Sequence, residues 1–321
     1  MKTVLVTGCA GFIGSNLTKA LLEKGYRIIG VDNFDDTYDT RFKEANIAPF
    51  LTNANFVLHR VDIRDVPALT AVFEADKPSY VVHLAAKADT RKAVDTPRIY
   101  TSVNIDGTLN ILELCREYPV ENLVVASSSS VYGNSSHVPF TEDQSADQPI
   151  SPYGATKRAV ELFAHTYHHN FGMNITCLRY FNAVGENNRP NMVPYIWTEK
   201  FLHDDEIEIS GDGSRRRDYT YIGDIVRGTI LAMEKPLGFE VINLGNNTPA
   251  SLNELLAIFE KVVDTKVKVK NRPSHSASVE VTYANVDKAK KLLDWAPTTS
   301  LEEGITKLVA WFRLNRLEEF K

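Results

Sequence analysis

A tyrosine and a lysine four residues apart, in the segment YGATK at 153–157, are the pair with the clearest chemical meaning in this sequence. Tyr153 and Lys157 share one face of the helix predicted for residues 153–171, because side chains four apart are helical neighbours. A nearby ammonium stabilises a phenolate, so we expect Lys157 to lower the pKa of Tyr153 toward the range of a general base. The alternative is an ordinary surface pair, since the spacing is common by chance.

A serine-rich segment, SSSSVYG at 127–133, follows a strand predicted for residues 122–126. Ligands bind beyond the carboxyl ends of strands in a doubly wound sheet. The hydroxyl of Ser128 is therefore placed to bond the substrate oxygen that Tyr153 deprotonates, and a plain serine-rich loop is the alternative. Asn104 either organises water at this centre or caps a helix, and the sequence leaves both open.

The segment TGCAGFIG at 7–14 predicts a phosphate-binding loop. It links the strand Thr3–Thr7 to a helix at 12–24, whose free N–H groups and partial positive charge favour phosphates. Gly8 permits a tight turn, Gly11 a close approach of pyrophosphate, and Gly14 close packing of the helix on the strand. The spacing is G-x-x-G-x-x-G, and a simple turn is the alternative for the triplet alone.

Acidic residues that follow the next two strands indicate that the ligand bound at this loop is a dinucleotide. Asp32 follows the strand Arg27–Val31, where a carboxylate accepts the hydroxyls of an adenosine ribose and repels a 2′-phosphate, so NAD is preferred to NADP. Asp62 and Ile63 follow a strand predicted for residues 56–60 and are expected beside the adenine. A surface turn explains Asp62 equally well.

The elements that must hold these residues alternate between short β-branched runs and helical stretches. The strands are Thr3–Thr7, Arg27–Val31, 56–60, Tyr80–His83, 122–126 and 174–179; the helices are 12–24, 68–74, 105–118, 153–171, Leu252–Val263 and Leu301–Asn315. This alternation predicts an α/β fold, a doubly wound parallel (Rossmann) sheet covered on both faces. We expect a nucleotide-binding domain over residues 1–180, rejoined by a strand and helix from about 215–245. Most of residues 181–321 should form a smaller, mixed α/β substrate-binding lobe.

Composition excludes several classes of protein. The 321 residues carry a formal charge of −5 and lack the basic excess of nucleic-acid-binding proteins. No run of about 18 apolar residues predicts a membrane span, and we expect no signal peptide. Three widely spaced cysteines predict reduced thiols and a cytoplasmic protein. His165 and His169 are four apart but have no intervening Glu in the H-E-x-x-H manner, so no metal is expected.

The chain resembles the extended short-chain dehydrogenases through motifs that occur in their order, over essentially its whole length: TGCAGFIG, Asp32, HLAA at 83–86, Asn104, SSSSVYG, YGATK, RYFN at 179–182, RRRDYTYIGDI at 215–225 and TSLEEGITKLVAWF at 299–312. Within that family it most resembles the nucleotide-sugar 4-epimerases, and nearest the UDP-glucuronate 4-epimerases. The resemblance implies that these residues bind NAD: Gly8, Gly11, Phe12, Ile13, Gly14, Asp32, Asn33, Asp62, Ile63, Leu84, Ala85, Ala86, Asn104, Tyr153 and Lys157.

The resemblance also implies a mechanism. Tyr153 takes the proton of the sugar 4-hydroxyl while a hydride leaves C4 for NAD, Lys157 bonds the nicotinamide ribose, and Ser128 bonds O4. The transient 4-keto sugar turns over and takes the hydride back on its other face. Dehydratases of this fold carry Asp-Glu directly after the catalytic Ser or Thr, where this chain has Ser129 and Ser130. Decarboxylases typically carry Glu at the second position, so epimerisation is favoured.

The substrate residues that the resemblance implies are Ser128, Ser129, Asn182, Arg189, Arg217 and Arg91. Arg189 opens RPNM, similar to the RPDM of UDP-glucuronate epimerases, but Asn182 stands where that group has Thr and matches UDP-glucose and UDP-N-acetylglucosamine epimerases. Arg217 matches a phosphate-binding arginine, whereas Arg215 and Arg216 are expected in a solvated turn. The role of Arg272 is left open, because residues 271–285 depart from the compact PGD element of relatives.

The predicted function is therefore NAD-dependent conversion of UDP-glucuronate to UDP-galacturonate, with UDP-glucose or UDP-N-acetylglucosamine as alternative substrates. A non-catalytic NAD-binding regulator is a hypothesis from a different class, since fold alone does not give function. The intact Tyr153, Lys157 and Ser128 argue against it. Net oxidation with release of NADH is a third hypothesis. The family predicts a homodimer formed through the helices at 105–118 and 153–171.

Overall fold

The computed structural model describes residues 2–273 and 279–316. Its strands are β1 (Thr3–Thr7), β2 (Arg27–Val31), β3 (Phe56–His59), β4 (Tyr80–His83), β5 (Asn122–Ser128), β6 (Ile175–Tyr180), β7 (Asn182–Val184), β8 (Ile207–Ser210), β9 (Arg216–Tyr221), β10 (Phe239–Leu244), β11 (Pro249–Ser251) and β12 (Val269–Arg272). Its helices are α1 (Phe12–Glu23), α2 (Arg41–Ile47), α3 (Val66–Asp76), α4 (Lys92–Asp95), α5 (Pro97–Thr101), α6 (Gly107–Glu117), α7 (Pro152–Phe171), α8 (Val193–Leu202), α9 (Ile222–Glu234), α10 (Leu252–Val263), α11 (Asp287–Leu293) and α12 (Leu301–Asn315).

Within the described residues, seven strands form one parallel sheet in the order β10-β6-β5-β4-β1-β2-β3. These strands are almost continuously apolar because helices cover both faces of the sheet. From β1 the chain adds β2 and β3 on one side and then β4, β5 and β6 on the other, so the boundary between β1 and β4 is the switch point where such sheets bind ligands. The predicted doubly wound α/β fold is confirmed.

The second lobe is built around smaller sheets, β11-β9-β7 and β12-β8. Its core includes Trp197 of α8, Phe259 of α10 and Leu308 of α12. The chain also returns to the large sheet, since β10 is its edge strand and α9 packs against α1. No helix of the described part is both long and apolar enough to span a membrane.

Two local expectations were wrong, the start of one helix and the turn at Arg216. The helix predicted for 105–118 begins at Pro97, a favourable first helical residue, and runs through a π-helical turn, Ser102–Asp106, into α6. Asn104 therefore lies inside a helical segment and caps nothing. Arg216 begins strand β9 instead of lying in a turn. Of the departing segment 271–285, residues 274–278 lie outside the described residues.

Candidate active site

A cleft of about 590 Å³ runs along the carboxyl ends of the strands and into the second lobe. The structure brings nearly all of the sequence-predicted site residues to its wall: Gly8, Gly11, Phe12, Ile13, Gly14, Asp32, Asn33, Asp62, Ile63, Leu84, Ala85, Ala86, Arg91, Ser128, Ser129, Tyr153, Lys157, Asn182, Arg189 and Arg217. Arg272 and Arg215 line it as well. Asn104 is buried behind the wall instead of lining it.

The glycine loop has a shape that other residues could not adopt. Gly8 has φ +71°, and a Cβ there would lie 2.9 Å from the backbone nitrogen of Ala85. A Cβ on Gly14 would overlap the carbonyl oxygen of Gly8, so helix α1 approaches the loop too closely for any side chain. The loop therefore offers bare backbone to the cleft, which is the cradle a pyrophosphate requires.

Asp32 is buried beside this loop and is held in place from two sides. One carboxylate oxygen accepts the N–H of Ala10 at 3.1 Å, and the other accepts the N–H of Phe34 at 2.8 Å. The ammonium of Lys43, on α2, lies 3.5 Å from the second oxygen and offsets the buried charge. Sequence reasoning missed Lys43, although its place shortly after the Asp32 strand was an available signal.

A buried histidine, His83, fixes the loop that follows β4. Thr108 donates its hydroxyl hydrogen to the carbonyl of Asn104 at 2.6 Å, so it must accept from Nε2–H of His83 at 2.9 Å. Nδ1 of His83 then accepts the hydroxyl of Thr7 at 2.7 Å, whose oxygen accepts the N–H groups of residues 84–85. Burial lowers the pKa of His83 to about 3, so the ring is neutral, as this relay of hydrogen bonds requires.

Asn104 clamps the same loop to the helix that carries the reactive pair. Its amide oxygen accepts the N–H of Lys87 at 2.8 Å, and its amide nitrogen donates to the carbonyl of Lys87 at 3.0 Å. The nitrogen also donates to the hydroxyl of Thr156 at 3.0 Å, on α7. The amide thus uses both its donors and its acceptor to hold protein groups together.

Tyr153 and Lys157 are both buried on α7. Burial raises the pKa of Tyr153, against which the hydroxyl of Ser128 and the charge of Arg189 act to lower it. Lys157 donates to the carbonyl of Ala126 at 2.7 Å and lies 6.0 Å from the tyrosine ring centroid. Ser128 and Arg189 are the groups that lower the pKa of Tyr153 here, and an effect of the Lys157 ammonium on it stays a prediction.

Burial also lowers the pKa of Lys157, to about 8, and the interactions with Cys177 and, to a smaller extent, Glu161 oppose this effect. Glu161 forms a buried pair with Arg179 of β6, with two contacts of 2.8 Å. It also accepts the hydroxyl of Ser127 at 2.5 Å. This pair, which sequence reasoning missed, ties α7 to the strand end that carries Ser128.

Arginines gather at the other end of the cleft. Arg215 and Arg217 enter it from the start of β9 and Arg272 from the end of β12. Two of them have acidic partners, Arg215 with Glu280 at 2.9 Å and Arg272 with Glu208 at 3.7 Å. Burial lowers the pKa of Arg217. The expected solvated position of Arg215 was wrong, and the excess of cations suits an anionic ligand.

Arg189 lines the cleft near Tyr153. Its guanidinium donates to the carbonyl of Ala88 at 3.3 Å and contacts the sulfur of Met192 at 3.6 Å. Its charge acts on Tyr153. A cation here faces the substrate end of the reactive pair, whereas Arg91 is exposed at the rim.

Comparison with known proteins gives a consistent result. A family model described as GDP-mannose 4,6 dehydratase matches residues 5–308. A UDP-glucuronate 4-epimerase of Thermodesulfobacterium geofontis is 44% identical over 98% of this chain and 97% of its own length. A UDP-glucuronic acid 4-epimerase of Bacillus cereus, solved with UDP-glucuronic acid and NAD, is 34% identical, with a TM-score of 0.92 over 97% of this chain and 99% of its own. A Thermotoga maritima UDP-glucose 4-epimerase, solved with UDP-glucose, is 34% identical, with a TM-score of 0.90 over the same shares.

Proposed function

The chain belongs to the GDP-mannose 4,6 dehydratase family within the extended short-chain dehydrogenases, and on that premise we propose that it is an NAD-dependent UDP-sugar 4-epimerase whose substrate is UDP-glucuronate. The resemblance read from the motifs is thereby confirmed at the level of the family. One observation carries the proposal: Ser128, Tyr153 and Lys157 meet in a cleft that has a glycine cradle at one end and arginines at the other.

The cofactor end of the cleft fits NAD. The bare backbone of Gly8 and Gly14 leaves room for a pyrophosphate, and Asp32 presents a carboxylate to the adenosine ribose. When bound there, NAD accepts a hydride from C4 of the sugar and returns it. Lys157, whose Nζ already donates to the Ala126 carbonyl, has further N–H groups to offer a ribose hydroxyl.

The chain's own residues move the proton. Tyr153 accepts the proton of the sugar 4-hydroxyl as that carbon is oxidised and gives it back when the carbon is reduced. Ser128 contacts Tyr153 and bonds the same substrate oxygen, which keeps the acceptor and the reacting oxygen in line. Arg189 supports the phenolate, because its positive charge lowers the pKa of Tyr153.

The residues next to Ser128 favour epimerisation over dehydration, which is the reaction named in the description of the family. Elimination of water needs a second acid–base pair beside the sugar. Ser129 and Ser130 are neutral hydroxyl residues, and Ser130 donates its backbone N–H to the Ser128 oxygen at 3.1 Å. The serines are thus arranged to hold a sugar and do not supply a titrating carboxylate.

Three features support UDP-glucuronate among the UDP-sugars. The 44% identical relative is a UDP-glucuronate 4-epimerase, and the match covers nearly the whole of both chains. Arg189 lines the cleft near Tyr153, where it can pair with a sugar carboxylate. Ser128, Ser129 and Ser130 line the same region with hydroxyl groups. Asn182 favours a neutral sugar instead, as in the UDP-glucose epimerase of similar fold.

The test is a substrate panel. The protein is incubated separately with UDP-glucuronate, UDP-glucose and UDP-N-acetylglucosamine, and the 4-epimers are separated by chromatography. We expect UDP-glucuronate to have the highest kcat/KM, with no stoichiometric NADH. Preference for a neutral sugar would overturn the substrate assignment, accumulation of NADH would support net oxidation, and no turnover of any sugar would support the regulator hypothesis.

Two arginine variants test which residue binds the carboxylate of UDP-glucuronate. Arg189→Met should lower kcat/KM for UDP-glucuronate about tenfold more than for UDP-glucose, because a charge-assisted contact is lost only with the acidic sugar. Arg98→Met is the matched control, since this arginine is exposed and does not line the cleft. Equal losses on both sugars in Arg189→Met would assign this arginine to the nucleotide or to Tyr153 alone.

We also propose a homodimer, with α6 and α7 as its interface. Helix α7 has an exposed apolar face that includes Leu162 at 53% and Phe163 at 36%, and Phe171 is 53% exposed at the end of the helix. Such a face is stabilised by a partner. Sedimentation should give twice the chain mass for the unaltered protein and the monomer mass for Leu162→Glu; a monomeric unaltered protein contradicts this. The domain boundaries and the cytoplasmic location remain predictions.

A further inference from the structure

The short helix α2 touches the glycine loop with one of its faces. Asn46, which is buried, donates its amide N–H to the carbonyl of Ala10 at 3.0 Å. Ala10 lies between Gly8 and Gly11, and its own N–H donates to Asp32 at 3.1 Å. The loop residue is therefore held at its N–H from one side and at its carbonyl from the other.

One turn before Asn46, Phe42 packs α2 against the second lobe. The ring of Phe42 meets Tyr195 of α8 at a centroid distance of 5.9 Å, and Tyr195 meets Phe312 of α12 at 5.0 Å. Edge-to-face contacts of this kind fix the relative position of the helices that carry them. Helix α8 starts directly after the loop that carries Arg189, so α2 bridges the cofactor side and the substrate side of the cleft.

Arg316, which follows α12, completes the bridge. Its guanidinium donates to the amide oxygen of Asn46 at 3.1 Å and lies 5.2 Å from the ring centroids of both Phe42 and Trp311. Arg316 is buried, with 7% of its surface exposed. Because the amide oxygen faces this donor, the amide nitrogen of Asn46 is turned toward Ala10.

We propose that Arg316 and Asn46 are positioning residues that hold the glycine loop in its nucleotide-binding shape, so that affinity for NAD depends on docking of the end of α12 onto α2. Neither side chain lines the cleft. Their effect acts through the backbone of Ala10, because Asn46 contacts Ala10 with its amide nitrogen and Arg316, which lies 270 residues after Asn46, with its amide oxygen. The inference rests on the proposed function in one respect, that NAD is the cofactor.

The first experiment measures binding of NAD without any sugar. Bound NAD is assayed after dialysis, and its Kd is measured by calorimetry on protein stripped of nucleotide. Arg316→Met should weaken NAD binding about tenfold, because the amide of Asn46 loses its buried partner and its fixed orientation. Arg316→Lys, which keeps a donor and the charge, should recover part of the affinity. Arg313→Met is the matched control, an exposed arginine on the same helix.

A double-mutant cycle separates positioning from general stability. Asn46→Leu removes the donor to Ala10, so Arg316→Met should add little further loss of NAD affinity in that background. Turnover at saturating NAD should stay near the unaltered level in each folded variant, while the KM for NAD rises. Urea midpoints measured without NAD identify any variant that is unfolded under assay conditions.

Each outcome decides something. Equal NAD affinity of Arg316→Met and the unaltered protein overturns the inference, as do additive effects in the cycle. If Arg316→Met does not fold, Asn46→Leu decides: unchanged affinity overturns the inference, and weakened affinity with intact turnover at saturating NAD supports it. Failure of the unaltered protein to bind NAD refutes the proposed function instead.

Discussion

Replacing Glu161 by Gln tests whether the buried ion pair behind the reactive centre matters for both stability and catalysis. The side chains of Glu161 and Arg179 are 1% and 2% exposed and share two contacts of 2.8 Å. Gln keeps the shape but carries no charge, which leaves the guanidinium without its counter-charge. Breaking a buried pair in this way lowers the free energy of unfolding by about 3–5 kcal/mol.

The same substitution should change the pH dependence of turnover. The groups that act on Lys157 are the burial itself, which lowers its pKa to about 8, and Cys177 and Glu161, which raise it. Tyr153 and His83 also lie near Lys157, and both are neutral, because burial raises the pKa of the phenol and lowers the pKa of the imidazole. Removing the charge of Glu161 lowers the pKa of Lys157 further. Because the role proposed for Lys157 requires an ammonium, the alkaline limb of kcat should move to lower pH.

Urea unfolding and pH–rate profiles of Glu161→Gln, Arg158→Met and the unaltered protein make the measurement. Arg158 gives Glu161 one contact of 3.1 Å from a side chain that is 27% exposed, so its loss should lower the unfolding free energy by less than about 1 kcal/mol. An unchanged urea midpoint in Glu161→Gln would refute the stability reasoning. An unmoved alkaline limb would show that Glu161 does not act on Lys157.

Three further predictions concern single residues. Tyr153→Phe should lower kcat by about 10²–10⁴ with bound NAD retained, as measured by 4-epimer formation and nucleotide content, because only the proton acceptor is removed; near-normal turnover would exclude Tyr153 as the base. His83, whose folded pKa is lowered from 6.5 to about 3, is neutral in the fold; below pH 6.5 the unfolded chain binds a proton that the fold does not. The free energy of unfolding should therefore fall by about 1.4 kcal/mol per pH unit from pH 6.5 toward pH 3. In His83→Gln, the free energy of unfolding measured with urea should fall less steeply as the pH is lowered. Gly14→Ala should abolish retention of NAD after dialysis, because the new methyl overlaps the loop, whereas Gly304→Ala, whose Cβ would meet its nearest atoms at an ordinary 3.6 Å, should retain it; retention in both would mean that helix α1 can shift.

The sequence was informative wherever a function depends on local spacing. The glycine loop, Asp32 and the Tyr153–Lys157 pair were found because a strand, a turn and a helix place them by their own periodicity. The strand and helix pattern likewise predicted the large sheet, since its buried strands are short apolar runs separated by helices. Helix ends were less certain: the helix that contains Asn104 starts at Pro97, ahead of the apolar pattern.

Only the tertiary structure decided what acts on the reactive groups. The pKa of Tyr153 depends on its burial and on Ser128 and Arg189, which lie 25 residues before it and 36 after it in the chain. The contact of Arg316 with Asn46 joins residues 270 apart. Burial and charge–charge distances are properties of the packed chain, and no local spacing encodes them. The sequence alone therefore determined which residues can do chemistry, and the fold determined their protonation and their partners.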